Sequence, residues 1–239
     1  MKRALVTGGS GGIGAAICKR LAADGHHVFV HANRGLDRAA AVAADIQASG
    51  GSAEAVAFDV TDRAATAAAL DTLLEGGAIQ ILVNTAGIHD DAVFPGMSGE
   101  QWDRVIDVSL NGFFNVTQPL TLPMIRTRWG RIVNVSSVAA VAGNRGQVNY
   151  SAAKGALHAA SKSLALELAS RGISVNVVAP GVIETGMSEG AFDAETVKKL
   201  VPMQRAGQPE EVAELVAFLA SDKAAYISGQ VISINGGMI

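Results

Sequence analysis

The sequence predicts an α/β fold in which a doubly wound, seven-stranded parallel sheet is flanked by helices on both faces. Short runs rich in apolar and β-branched residues alternate with helical patterns along the chain, as right-handed βαβ crossovers require. A glycine-rich turn follows the first run and opens the first helical pattern. No Pro- or Ser-rich linker, charge run or change of composition divides the 239 residues, so residues 1–239 are expected to form one domain.

The predicted strands are the short β-rich runs, at residues 3–7, 28–32, 54–58, 79–84, 131–136, 174–179 and 231–234. The predicted helices have apolar residues at helical intervals and lie at residues 12–24, 37–49, 63–74, 101–128, 150–170 and 209–220. Residues 184–205 fit neither pattern, and we expect them to form a mobile lid over the substrate. Ligands of such sheets bind beyond the carboxyl ends of the strands.

The composition argues against several classes of function. A net charge of −3 and a pI near 5.9 give no electrostatic case for nucleic acid or a membrane surface as the main partner. Cys18 is the only cysteine, so no internal disulfide can form and a reducing cytoplasm is the expected compartment. The first residues lead into a short predicted strand and no apolar run approaches 18 residues, so neither a signal peptide nor a membrane span is expected. The histidines form no cluster with carboxylates at metal-binding spacing, so no metal site is predicted.

The turn after the first strand has the composition of a phosphate-binding loop. Gly8, Gly12 and Gly14 lie between a strand and a helix, and Ser10 and Ile13 line the same turn. This order lets backbone N–H groups and the positive end of the helix approach a pyrophosphate. The turn therefore predicts a dinucleotide site.

Tyr150 and Lys154 are four residues apart in a helical pattern, which puts both on one face. Two unit charges about 5 Å apart interact by roughly 3 kcal/mol at an effective dielectric of about 20, so we expect the ammonium to lower the pKa of Tyr150. That makes Tyr150 a candidate acid or base. Ser137 follows the predicted strand 131–136, where its hydroxyl can hold a carbonyl oxygen, whereas alternation along the strand turns Ser136 away.

These motifs occur together in one order along the whole chain, with Asn84-Thr85-Ala86-Gly87, Asn111 and Pro180-Gly181 between them. In the order of these motifs the chain resembles the short-chain dehydrogenase/reductase family, which has a Rossmann fold and NAD(P)-dependent oxidoreductase activity. The resemblance is strongest to 3-oxoacyl-[acyl-carrier-protein] reductases, through the motifs at residues 149–154, 175–181 and 234–238. It also implies a homotetramer.

The resemblance assigns roles to particular residues. It implies four catalytic residues. Ser137 would orient the carbonyl and Tyr150 would deliver the proton. Lys154 would lower the pKa of Tyr150 and bind the nicotinamide ribose, and Asn111 would hold a water that relays protons to Lys154. At that position Asn111 would interrupt the long helix predicted for residues 101–128. As a bare sequence feature, Asn followed by Gly in a helix is more often a kink or cap. The remaining cofactor-binding positions that it implies lie at strand ends, and they are Asp59, Val60, Asn84, Ala86, Gly87, Pro180, Gly181, Ile183 and Thr185. Asp59 can equally be a helix cap.

The end of the second strand indicates which cofactor is used. Dinucleotide sites that select NAD carry an acidic residue there, whereas this chain has Asn33 and Arg34. The Arg34 guanidinium can neutralise the 2′-phosphate of NADP, which favours NADP(H) over NAD(H). A solvated loop arginine is the alternative reading. One departure from many NADP-using relatives is Gly11, where they carry a basic residue inside the turn.

The function that the resemblance implies is NADPH-dependent reduction of 3-oxoacyl thioesters to 3-hydroxyacyl thioesters in fatty acid or related polyketide-like synthesis. The alternative is a dehydrogenase for another ketone or secondary alcohol, such as a sugar, steroid or hydroxyacyl-CoA. Arg128 and Arg171 match positions where carrier-protein reductases have basic residues near the active-site mouth, so they could steer an acidic acyl carrier protein. They equally fit helix-end arginines that complement the helix dipole.

Overall fold

The computed structural model describes residues 1–186 and 193–239. Its centre is a seven-stranded sheet in the order β3-β2-β1-β4-β5-β6-β7, and every neighbouring pair is parallel. The strand order reverses between β1 and β4, which creates the crevice where ligands of doubly wound sheets bind. The predicted fold class is confirmed.

The strands of this sheet are β1 Arg3–Thr7, β2 His27–Ala32, β3 Ser52–Ala57, β4 Ile81–Asn84, β5 Gly130–Val135, β6 Ile173–Pro180 and β7 Val231–Ile234. The α-helices of the described residues are α1 Gly12–Ala23, α2 Leu36–Ala48, α3 Arg63–Glu75, α4 Gly99–Ile106, α5 Gly112–Thr127, α6 Ala139–Ala142, α7 Val148–Leu168, α8 Ala194–Leu200 and α9 Pro209–Ala220. Each predicted strand and helix overlaps one of these elements.

The two faces of the sheet bury separate apolar clusters because side chains alternate along each strand. In β2, Val28 and Val30 belong to the cluster that contains Ile17 and Val216 of α1 and α9. Phe29 points the other way, into the cluster that contains Leu70 and Leu120 of α3 and α5. Helices therefore pack on both faces of the sheet. Because all strands are parallel, their carboxyl ends lie at one edge.

The helix predicted for residues 101–128 is interrupted, as expected at Asn111. A π-helical turn, Asp107–Asn111, separates α4 from α5. The apolar periodicity continues across this π-helical turn, which contains one extra residue, so the periodicity alone predicts a single helix. The short helix α6 was not predicted.

The predicted lid, residues 184–205, is partly described. Its entry is fixed because the Glu184 amide donates to the Gly207 carbonyl at 2.9 Å. It also contains α8, which the sequence analysis missed and whose first turn is capped by Asp193 accepting from the Thr196 amide at 2.7 Å. Residues 187–192 lie outside the described residues, and the lid stays a prediction.

Candidate active site

The glycine turn after β1 is a close-packed backbone structure. Gly8 has a φ of +65°, a conformation that glycine adopts without strain, and its carbonyl accepts from the Gly11 amide at 3.0 Å. A side chain at Gly14 would begin 2.2 Å from the Gly8 carbonyl oxygen, and one at Gly12 would begin 3.0 Å from Thr185 Cγ2. Glycine at positions 12 and 14 therefore leaves the space that Thr185 and the Gly8 carbonyl occupy beside the start of α1. Ser10 and Ile13 are half-buried beside it.

The end of β4 is tied to the glycine turn through Thr7. Its hydroxyl accepts from the amides of Thr85 and Ala86, at 3.1 and 3.2 Å. Gly87 follows, and a side chain there would begin 2.8 Å from Lys154 Nζ. Small residues at this strand end therefore leave room for the lysine and for a ligand.

The Asn84 side chain stabilises the end of β4. Its side-chain amide donates to Thr117 Oγ1 at 3.0 Å and to Asn134 Oδ1 at 2.8 Å. Asn134 in turn donates to Ser161 Oγ at 2.7 Å. This buried network joins β4 and β5 to α5 and α7, so the structure gives the Asn84 side chain a role in holding the catalytic helix against the sheet.

The ends of β2 and β3 come together around Asp59. The Asp59 carboxylate accepts from the backbone and the hydroxyl of Thr61, at 2.9 and 2.7 Å, and also from the Asn33 side chain, with Arg34 nearby. The Thr61 hydrogen bonds are the main reason why the pKa of Asp59 is lowered. Asp62, not Asp59, caps α3, because its carboxylate accepts from the Ala65 amide.

A cavity of about 630 Å³ opens at this end of the sheet, and Asn33 and Asp59 line it. Val60 packs against α5, since a side chain at Gly112 would begin 2.8 Å from Val60 Cγ2. The Val60 carbonyl also accepts from Asn115 at 2.9 Å. The Asp59 and Val60 pair is thus rigidly anchored at the rim of a cavity.

The two serines after β5 point in different directions. Ser136 is buried, and its hydroxyl lies 2.7 Å from His158 Nε2 and donates to the Lys154 carbonyl. Ser137 is partly exposed, and its hydroxyl forms a hydrogen bond with the Tyr150 hydroxyl. The structure therefore brings Ser137 and Tyr150 together, as the sequence analysis expected.

The expected pKa of Tyr150 is wrong in direction. Burial raises it, a hydrogen bond from Ser137 lowers it, and Asp91 raises it further, so that the net effect is an increase. Lys154 Nζ lies 5.9 Å from the Tyr150 ring centroid and donates to the Val135 carbonyl at 2.9 Å. Burial also lowers the pKa of Lys154 to about 8. The expected decrease in the pKa of Tyr150 considered only the attraction between its phenolate and the Lys154 ammonium, whereas burial of the phenol has the larger effect.

Asn111 does not point towards Lys154. It is exposed, and its side-chain amide donates to Asp107 Oδ1 at 2.6 Å. Ser109, two residues earlier, is buried, and its hydroxyl has no hydrogen-bond partner within the described ranges. A side chain at Gly87 would lie 3.6 Å from Ser109 Oγ and 2.8 Å from Lys154 Nζ, so both groups face the same space. Ser109, and not Asn111, therefore faces the space beside Lys154.

The loop after β6 closes the site from the other side. The Pro180 carbonyl accepts from the Val138 amide at 2.7 Å, and the Gly181 amide donates to the Ile234 carbonyl at 2.9 Å. A side chain at Gly181 would begin 2.7 Å from Asn235 Cβ. Ile183 forms a parallel bridge with Gly207, and Thr185 lies over Gly12. These four predicted residues thus lie between the glycine turn and the last strand.

Sequence reasoning missed Asn149, which positions Tyr150. Asn149 is fully buried, its amide donates to the carbonyls of Asp90 and Gln101, and its oxygen accepts from the Tyr150 amide. These bonds fix the first turn of α7 against α4. A polar residue directly before the tyrosine was the available signal, but its partners are distant in sequence.

The arrangement fits a dinucleotide. Side chains at Gly12 and Gly87 would fill the space beside Thr185 and Lys154, and the Ser109 hydroxyl and the Asn235 amide are buried without a partner among the described residues. In residues 1–186 and 193–239 no group of three or more His, Cys, Asp or Glu side chains could hold a metal ion. No helix within these ranges has the length and apolarity needed to cross a membrane.

Arg128 and Arg171 lie at the opposite edge of the sheet from Ser137, so they do not flank the active-site mouth of their own subunit, and their expected role in carrier docking stays a prediction. Each is two residues before the first residue of a parallel strand, β5 or β6, whereas Ser137 follows the last residue of β5. The two arginines are exposed and close together, since Arg128 donates to the Ser170 carbonyl at 3.3 Å.

The chain is similar in sequence to a family of enzymes and to several curated proteins. The family described as short chain dehydrogenase matches residues 2–196. The chain is 46% identical over 236 residues to the 3-oxoacyl-[acyl-carrier-protein] reductase FabG of Aggregatibacter actinomycetemcomitans, covering 98% of each chain. It is 45% identical over 238 residues to the 3-oxoacyl-[acyl-carrier-protein] reductase of Synechocystis sp., covering 99% of this chain and 96% of the relative. It is 43% identical over 242 residues to Nodulation protein G of Rhizobium sp., with the same coverage.

Proposed function

The chain belongs to the short-chain dehydrogenase family and is an oxidoreductase, and on that basis we propose that it reduces 3-oxoacyl thioesters, carried by an acyl carrier protein, to 3-hydroxyacyl thioesters. The single observation that carries this proposal is the hydrogen-bonded pair of Ser137 and Tyr150, with Lys154 behind it, at the carboxyl edge of the sheet. The names of the relatives support the substrate class. The product would enter fatty acid or related polyketide-like synthesis.

In this proposal Ser137 and Tyr150 both bind the ketone oxygen. The Ser137 hydroxyl orients it, and the Tyr150 phenol transfers its proton to it as the carbonyl carbon is reduced. The raised pKa keeps the phenol protonated, which is the form that can donate. A bound reduced nicotinamide supplies the hydride.

Lys154 and Ser109 restore the proton. The Lys154 ammonium, held by the Val135 carbonyl, favours the phenolate that remains after transfer. We assign to Ser109 the water-holding role that the resemblance gave to Asn111, because its unpaired hydroxyl faces the space next to Lys154. That water would return a proton to the Lys154 and Tyr150 pair.

The proposed cofactor is NADP(H) rather than NAD(H). No acidic residue follows β2, and Arg34 lies beside Asn33 and Asp59, where the adenosine ribose would bind. Arg38 adds a second cation, since a side chain at Gly35 would begin 2.8 Å from Arg38 Nε. Two guanidinium groups at one loop suit a 2′-phosphate.

A substrate comparison tests the proposed function. The purified protein is expected to oxidise NADPH with acetoacetyl thioesters, and to do so faster than with sugar or steroid ketones under the same conditions. Turnover of sugars, steroids or hydroxyacyl-CoA without turnover of acetoacetyl thioesters would instead support the alternative, a dehydrogenase for another ketone or secondary alcohol.

Acyl carrier protein is proposed to dock at Arg128 and Arg171. Both are exposed at the amino edge of the sheet, a strand length of about 20 Å from the catalytic edge of the same subunit. A carrier bound there would therefore deliver its substrate to a neighbouring subunit, which accords with the homotetramer that the resemblance implies. Substituting Glu for both arginines should raise KM for a carrier-bound substrate more than for a small thioester. Equal effects would favour the helix-end role.

A further inference from the structure

His31 is a buried histidine at the end of β2 that the catalytic proposal does not use. It is 2% exposed, and its Nδ1 accepts from the Gly8 amide at 3.1 Å while its Nε2 donates to the Phe58 carbonyl at 2.9 Å. A neutral imidazole has one donor and one acceptor nitrogen, so these two bonds fix the tautomer with its proton on Nε2. The ring also packs on Phe58, with 4.1 Å between the ring centroids.

The imidazole is held in its neutral form. Burial lowers the pKa of His31 to about 4, against smaller opposing effects of the Phe58 carbonyl and Asp59. At neutral pH both ring nitrogens are therefore used, and neither carries an extra proton. A protonated ring would present a donor to the Gly8 amide, which is itself a donor.

The two bonds join parts of the site that are far apart in sequence. Gly8 opens the glycine turn at the start of α1, and Phe58 immediately precedes Asp59 and Val60. Thr7 holds the other side of the same turn, by accepting from the Thr85 and Ala86 amides. His31 thus connects the turn to β3 as Thr7 connects it to the end of β4.

We propose that His31 is a positioning residue for the adenosine half of the cofactor: its imidazole sets the spacing between the Gly8 turn, which would hold the diphosphate, and the Asp59 rim, which would hold the adenine. This inference rests on the proposed function, because it concerns the same nicotinamide cofactor. His31 touches neither the reacting atoms nor Tyr150 in this account. Its loss should therefore weaken cofactor binding and leave the chemical step intact.

Three substitutions separate the two bonds. His31→Phe fills the volume without either bond, His31→Asn places an amide oxygen near Nδ1, and His31→Gln places an amide nitrogen near Nε2. We expect the Kd for NADPH, from fluorescence titration, to rise about tenfold in His31→Phe, equivalent to about 1.4 kcal/mol. The Asn and Gln variants should each recover part of this loss. Values of kcat and of KM for acetoacetyl thioester should stay within about twofold.

His27→Phe is the matched control. His27 lies four residues earlier on the same face of β2, and its ring bonds to Ser52 Oγ at the other edge of the sheet. It should leave the Kd for NADPH unchanged. Equal Kd values for the wild type and His31→Phe would overturn the role of His31 alone, whereas a wild type that binds no nicotinamide dinucleotide would overturn the proposed function as well.

A second measurement applies even if the variants fold poorly. In the wild-type protein, ¹⁵N NMR of the His31 ring at neutral pH should show a protonated Nε2 and an unprotonated Nδ1, and the Gly8 amide should exchange slowly with solvent. A protonated Nδ1 would contradict the proposal.

Discussion

Gly87→Ala should displace Lys154, the lysine proposed to support proton transfer by Tyr150. The added Cβ would lie 2.8 Å from Lys154 Nζ and 3.2 Å from its Cε. Ordinary contact begins at about 3.4 Å, so Nζ must move by about 0.6 Å. If it moves away from the Val135 carbonyl, their 2.9 Å hydrogen bond lengthens to about 3.5 Å, beyond the usual range.

That hydrogen bond is the anchor of a buried ammonium, and losing it costs about 1.5–3 kcal/mol. A displacement of this size at the reacting groups should lower kcat by about tenfold to a hundredfold. The assay is the steady-state rate of NADPH oxidation with acetoacetyl thioester. Gly96→Ala is the control, because a side chain there meets no atom of the described chain within 4 Å. A kcat for Gly87→Ala equal to that of the control would refute the placement of Lys154.

Three further predictions test separate parts of the site. Ser109→Ala should lower kcat by about tenfold, which corresponds to the loss of one hydrogen bond, and Asn111→Ala should leave kcat within about twofold of the wild type. A larger loss of kcat in Asn111→Ala than in Ser109→Ala would instead support Asn111 as the residue that holds the water. Lys154→Met should remove a pH dependence of the free energy of unfolding. Between about pH 8 and pH 10.5, Lys154 of the wild type is deprotonated in the folded state but still protonated in the unfolded state. The free energy of unfolding of the wild type should therefore rise by about 3 kcal/mol over this range. Urea unfolding measures this, and the exposed Lys162→Met should keep the wild-type dependence. Arg34→Leu should raise KM for NADPH by about tenfold or more and leave KM for NADH nearly unchanged, and equal changes would argue against phosphate recognition.

The order of the elements was predictable because each strand and helix is encoded locally. Short runs of apolar and β-branched residues identified the seven strands, apolar residues at helical intervals identified the helices, and the glycine turn identified the cofactor edge. The bounds of the π-helical turn at 107–111 were not predictable, because inserting a residue leaves the apolar pattern of α4 and α5 nearly continuous. Asn111 was assigned its role from the family resemblance alone, whereas in the structure the Ser109 hydroxyl faces the space beside Lys154 and Asn111 bonds to Asp107.

Contacts between distant segments account for the other differences. The raised pKa of Tyr150 depends on burial by segments that the local pattern does not show. Apart from the Tyr150 amide, the partners of His31 and Asn149 are backbone groups 23 to 59 residues away, so the contacts that these side chains make with other segments could not be deduced from the local sequence. The place of Arg128 and Arg171 follows from strand direction alone and could have been deduced from the predicted topology.

In the proposed reaction the Tyr150 hydroxyl gives its proton to the substrate oxygen. The most direct test compares single-turnover NADPH oxidation by the wild type and Tyr150→Phe with acetoacetyl thioester, at NADPH concentrations that saturate both proteins. We predict a rate lower by about 10²- to 10⁴-fold with an unchanged Kd for NADPH. A variant that turns over at the wild-type rate would contradict the account.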